Sequence, residues 1–130
     1  MKDASYHTLR VGLAITFLWV GILIFQSPEA WGGYIQPWAY DLLPLGGKEI
    51  MLTTAVFDVI VGFLLLIDSY LWIATLLASL HLIVVLVVSG ITEVTVRDIA
   101  ILTGFIALFI ESIPESIVNR FTKKSTTPIQ

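Results

Sequence analysis

The sequence predicts an all-α fold: a four-transmembrane-helix bundle with both termini cytoplasmic and a long first extracytoplasmic loop that carries a short interfacial helix. Three observations lead there. Residues of the AVILMFWYC set make up 57% of the 130 residues, against 13% charged. A soluble domain of this length exposes much of its surface and carries about 25% charged residues, so a water-soluble globular enzyme is excluded. Second, the mean hydropathy of +0.92 is concentrated in four runs long enough to cross a bilayer core, which takes about 20 apolar helical residues. Third, lysine and arginine are distributed asymmetrically between the ends of those runs.

The first span is Leu9–Phe25, with Arg10 near its start. It is longer than the apolar region of a secretory signal, and Ser27-Pro28-Glu29-Ala30 is a poor cleavage site, so it is taken as a helix that stays. The second span, Ile50–Ile67, has Asp58 as its only charge. The third, Leu71–Ser89, holds His81 at its centre. The fourth runs from Asp98 to Val118, uncharged from Ile99 to Ile110 and of spanning length only if it continues past Glu111. Closed β-barrels are excluded, because these runs are too long and lack a two-residue alternation. Residues 1–118 thus form one membrane domain with helices at about 9–25, 50–67, 71–89 and 98–118. Residues 119–130 form a cytoplasmic tail, frayed at Ser125-Thr126-Thr127-Pro128.

Lys2, Arg10, Arg120, Lys123 and Lys124 gather on the side of the termini, against Lys48 and Arg97 on the other. Basic residues remain cytoplasmic, which orients the bundle. Asp68-Ser69-Tyr70 is then a tight cytoplasmic hairpin. The loop from Gln26 to Lys48 exceeds a minimal connector. Within it, Ser27, Pro28 and Glu29 supply an N-cap, an N1 proline and a first-turn acid, so a short helix runs through Trp31 and stops at Gly32-Gly33. Trp31, Tyr34, Trp38 and Tyr40 suit an interfacial aromatic belt, or a lid over a lateral ligand entrance.

Function has to be read from the polar groups kept in lipid, each costing about 2.5–3.5 kcal/mol on insertion scales. Asp58 lies about nine residues from the inner end of its span and His81 about ten from the inner end of the next. At about 1.5 Å per residue both sit near the midplane, on helices joined by a short turn, and an Asp58–His81 pair follows. Thr54, Asp58 and Gly62 form a small, packable strip, as do Ala74, Ala78, His81 and Val85, and small residues let membrane helices approach closely. The pair is either a buried lock between two helices or a protonatable site for a quinone-like headgroup or a proton relay.

Two further constellations stand out. Arg10 and Glu111 lie at comparable depth near the inner surface and suit an ion pair. The stripe Arg97, Ala100, Gly104, Ala107 and Glu111 would turn Glu111 inward, while snorkelling to headgroups is the alternative. At the outer mouth, Asp98 fits an N-cap or first-turn acid, leaving Arg97 to meet a lipid phosphate or a ligand oxygen. The chain has no cysteine, which removes disulfides, thiolate nucleophiles and thiolate-held metals. No metal site or haem-ligand pair is expected. Seven scattered basic residues in a chain of formal charge −3 leave no footprint for nucleic acid.

Read in order, Phe17-Leu18-Trp19-Val20-Gly21-Ile22, Ser27-Pro28-Glu29, Pro37-Trp38, Asp58 before Gly62-Phe63-Leu64-Leu65-Leu66, Ala78-Ser79-Leu80-His81-Leu82 and Val96-Arg97-Asp98-Ile99 resemble the DoxX-like family of small membrane proteins from about Leu9 to Glu111. The Arg-Asp-Ile element is the sharpest of these motifs. The resemblance implies a four-helix bundle in a prokaryotic plasma membrane and a role around respiratory or redox chemistry, some relatives being quinone-linked. It carries Asp58, His81, Arg97 and Asp98 over as functional positions. Relatives often place a lysine shortly after the first helix's glycine, whereas Ile22-Leu23-Ile24 follow Gly21 here.

The leading expectation is an accessory redox-membrane subunit without independent catalytic activity and with no intrinsic cofactor. It binds a quinone or similar ligand between helices, Asp58 and His81 meeting its oxygens and Arg97 guiding entry. Electron transfer then requires a protein partner; the lipid bilayer is the other partner, and a homo-oligomer is the alternative assembly. A small proton-coupled transporter or channel is the second reading. A structural or assembly module is the third.

Overall fold

The computed structural model describes residues 3–125. They form seven α-helices: α1 (Ala4–Gln26), α2 (Pro28–Gly32), α3 (Pro37–Leu42), α4 (Gly47–Leu66), α5 (Leu71–Ser89), α6 (Val96–Ser112) and α7 (Glu115–Ser125). No strand occurs among the described residues. Three helices, α1, α4 and α5, are long and apolar enough to cross a membrane, and α6 with α7 would bring the number to four as one bent pair. Lys2 and the fraying expected at Thr126–Pro128 lie outside the described residues.

α1 lies against α4, α5 lies against α6, and the two pairs meet through α4 with α5 and α1 with α6. Their shared interior is apolar. Phe105, Leu65, Ala14 and Ala78 are wholly enclosed, and Phe17 meets Phe105 with ring centroids 4.6 Å apart. Outward faces are equally apolar: Trp19, Ile60, Val84 and Ile110 are all more than half exposed. In water such a surface would be costly, whereas in a bilayer it is the lipid contact.

Two glycines set the spacing of α1 and α4. A Cβ on Gly62 would lie 2.8 Å from Leu18 Cγ and 3.0 Å from the Ala14 carbonyl oxygen, and one on Gly21 would lie 2.7 Å from Val59 Cγ2 and 3.1 Å from the Ala55 carbonyl oxygen. Both helices therefore meet backbone to backbone, as small residues permit in membranes.

α1 starts five residues before the expected Leu9, because Asp3 caps it by accepting from the Tyr6 backbone N–H at 3.0 Å. The polar first turn carries no hydropathy signal. The α4–α5 turn places both Asp68 (φ 55°) and Tyr70 (φ 49°) in the left-handed region. Arg10 stabilises it by donating to the Leu65 and Leu66 carbonyls, the latter at 2.9 Å, and by approaching Asp68 at 3.9 Å. Tyr6 donates to the same carboxylate at 3.2 Å.

The first loop holds two short helices where one was expected. α2 begins at Pro28 as anticipated, though the Ser27 side chain makes no capping bond. α3 begins at Pro37, again with proline at a helix start, where its missing N–H costs nothing. Gln36 ties this loop to the C-terminal end of α5: its N–H donates to the Val88 carbonyl at 2.9 Å and its side-chain amide reaches the Ser89 carbonyl at 3.4 Å.

The fourth helix differs most from expectation. It starts at Val96, so Thr95 occupies the cap position and Asp98 is the first-turn acid rather than the N-cap. It also ends at Ser112 instead of continuing to Val118, and α7 leaves at 83° to it. Pro114 has no N–H and restricts the residue before it to extended geometry, and Ile113 is extended accordingly (φ −60°, ψ 128°). The expected tail from residue 119 is therefore the second half of a helix as far as Ser125.

Candidate functional site

Asp58 on α4 and His81 on α5 meet across the two helices that the short turn joins. Of the expected small-residue strips, Ala74 and Ala78 on α5 are buried, whereas Gly62, on the strip of Asp58, packs against Ala14 and Leu18 of α1 rather than against α5. His81 Nε2 lies 3.7 Å from Asp58 Oδ1, an ion-pair distance but too long for a hydrogen bond.

The two sides differ in access. The Asp58 side chain is 5% exposed and that of His81 22%. Asp58 Oδ1 is buried with no hydrogen-bond partner, although a buried carboxylate oxygen normally has one. The outer, partly open member is the imidazole, with the ring of Phe57 at a centroid distance of 4.7 Å. The arrangement offers a buried acceptor beside an imidazole that is itself partly exposed. A donor hydroxyl could satisfy Asp58 Oδ1, and the imidazole could donate to or accept from a second oxygen.

Asp98 and Arg97 extend the site electrostatically towards the outer end. The charge of Asp98 bears on Asp58, and that of Arg97 bears on Asp98. Arg97 itself is exposed at the start of α6. Of the four expected positions, Asp58 and His81 approach each other directly, while Arg97 and Asp98 lie in the first turn of α6.

The Arg10–Glu111 ion pair is not formed. Arg10 turns to the α4 C-terminus and Asp68, where free carbonyls and the negative end of the helix dipole attract a cation. Glu111 is exposed, as are Arg97, Ala100 and Ala107 of the stripe expected to face inward. The inward face of α6 is instead Phe105 and Leu108, bulky apolar residues outweighing small ones as the filling of the bundle.

Phe57 against His81 and Gln36 as the loop's anchor were not anticipated. Asp68 as partner of Arg10 had a usable signal, since it is the acid nearest the inner end of α4. Among the loop aromatics, Tyr40 is a structural link whose hydroxyl donates to the Gly32 carbonyl at 2.5 Å. Trp38 bonds Gln36 Oε1 at 2.9 Å while 44% exposed, and Tyr34 is 39% exposed. No group of three metal-ligating side chains converges among the described residues. No protein-family model, curated protein or solved structure matches the chain.

Proposed function

We propose that the chain is a four-span membrane bundle with cytoplasmic termini that binds a lipophilic quinone-type ligand at Asp58 and His81, as an accessory subunit of a redox system in a prokaryotic plasma membrane. The observation that carries the ligand is the orphaned Asp58 Oδ1, buried and 3.7 Å from an imidazole that is itself partly open to the bundle exterior. An unpartnered buried acceptor costs about 1–3 kcal/mol, and that cost is removed by an incoming hydroxyl donor. A quinol supplies such a hydroxyl and a quinone a carbonyl for the imidazole N–H, both on an apolar ring that partitions into lipid. When bound, the ligand would supply the electron-carrying chemistry that these side chains lack. Asp58 and His81 would hold its oxygens and accept or return the accompanying protons.

Orientation rests on Arg10 and Arg120 at the inner end, together with Lys123, against Lys48 and Arg97 at the outer end. The redox assignment and the plasma membrane rest on the resemblance to DoxX-like proteins.

The test is calorimetric titration of the purified protein in detergent with a short-chain benzoquinol. Saturable binding that falls at least tenfold in both Asp58→Asn and His81→Ala supports the site. Binding unchanged in both variants removes it.

A further inference from the structure

We propose that α7 is an in-plane membrane anchor that lies in the headgroup region of the inner leaflet and binds anionic lipid. It leaves α6 at 83°, so when α6 stands across the bilayer α7 lies along its surface. Its sequence, Glu115-Ser116-Ile117-Val118-Asn119-Arg120-Phe121-Thr122-Lys123-Lys124-Ser125, divides by side. Ile117, Val118 and Phe121 fall within about one third of the helix circumference, at 100° per residue. Asn119, Ser116 and Lys123 fall opposite.

Ile117 is partly buried, but the rest of that apolar face is open. Phe121 is 75% exposed and Val118 47%. A helix of this kind, with large apolar residues on one side and basic residues on the other, sinks its apolar side about 5–10 Å into the headgroup boundary.

Two observations select lipid as the occupant over another protein or a second copy. The last turns of α6 before the Pro114 break are also apolar and open, Ile110 being 66% exposed and Ile106 42%, as a lipid-facing surface would be. Charge complements the surface as well: α7 carries Arg120, Lys123 and Lys124 against one acid, Glu115. Juxtamembrane basic residues are drawn to anionic headgroups. Arg120 borders the apolar face and Lys123 lies on the opposite side.

The absence of cysteine from the chain makes the test direct. Nitroxide labels are placed one at a time at Val118→Cys, Phe121→Cys and Asn119→Cys, with Ile60→Cys on the exposed face of α4 as reference. The protein is reconstituted in vesicles of phosphatidylcholine with 30% phosphatidylglycerol, a proportion on the order of that in anionic leaflets. Collision with oxygen should exceed collision with a water-soluble nickel chelate at 118 and 121, and the order should reverse at 119. Replacing Arg120 and Lys123 by Gln, or omitting phosphatidylglycerol, should shift the labels at 118 and 121 several-fold towards the chelate. Chelate-dominated collision at 118 and 121 with the reference at 60 still in lipid overturns the anchor and leaves the membrane reading intact. Labels at 118 and 121 shielded from both reagents would show a protein or a second copy on this face, and would also overturn it. Chelate access at 60 would instead contradict the membrane reading itself.

Discussion

Asp58 on α4 and His81 on α5 face each other at 3.7 Å, close enough for their charges to interact and too far for a hydrogen bond, with Asp58 Oδ1 left unpartnered. A lock between helices would favour a shorter contact. The gap leaves an acceptor free for a third group, which is the arrangement the proposed ligand exploits.

The first prediction concerns that gap. Double-mutant cycles for polar pairs in membrane bundles average about 0.6 kcal/mol, and a contact of this length belongs at or below that average. An Asp58→Asn, His81→Ala cycle measured by unfolding in mixed micelles should give coupling of about 0.6 kcal/mol or less. Coupling of several kcal/mol would instead identify the pair as a structural ion pair.

Helix spacing gives the second. Gly62→Ala places a Cβ against the Ala14 carbonyl at 3.0 Å and Leu18 Cγ at 2.8 Å, and a backbone oxygen cannot swing away. A loss of about 1–3 kcal/mol is expected, the usual cost of overpacking. Gly12→Ala meets nothing within 4 Å and should be neutral or gain up to about 1 kcal/mol from helix propensity. Thermal unfolding of the two variants side by side checks the contrast.

A third prediction falls on the inner turn. Arg10→Ala strands the Leu66 carbonyl, while that of Leu65 keeps the Asp68 backbone N–H at 3.2 Å, and should cost about 1–3 kcal/mol. Asp68→Asn takes the charge away from a 3.9 Å approach at a side chain one third exposed, while the Asn carbonyl oxygen can still accept from Tyr6, a change worth at most about 1 kcal/mol. Equal losses in unfolding experiments would contradict the view that carbonyl capping, rather than the ion pair, is the main role of Arg10.

At the outer end, Gly90 has φ +69°, and a Cβ there would fall 2.5 Å from Gln36 Nε2. Gly90→Ala should therefore both strain the backbone, by about 1–2 kcal/mol, and displace the side chain that pins the loop. Hydrogen exchange should quicken in residues 34–43 while the centres of α4 and α5 stay protected. Unchanged exchange in the loop would show that Gln36 is not its anchor.

The long apolar runs were legible in the sequence because lipid demands them: Leu71–Ser89 has the bounds expected, and α4 differs from its expected span by a few terminal residues. Matched depth was enough to bring Asp58 and His81 together, since a three-residue turn fixes the relative height of two helices. What hydropathy could not show was set by groups it does not weigh. Asp3 extends α1 through a polar first turn, Pro37 starts a second loop helix, and Pro114 breaks the last one. The Arg10–Glu111 expectation failed for a related reason. Depth alone says nothing of azimuth, and the C-terminal carbonyls of α4 offered Arg10 a nearer set of acceptors.

The central claim is that the space beside Asp58 and His81 receives a quinone-type ligand. Its most direct measurement is photolabelling of the protein in native membranes with an azido-quinone, followed by peptide mapping. The account predicts label in the segments around Phe57–Val61 of α4 and Ala78–Leu82 of α5, lost when excess unlabelled quinone is present and lost in Asp58→Asn. Label confined to other helices, or label on these segments that neither competition nor Asp58→Asn reduces, would contradict it.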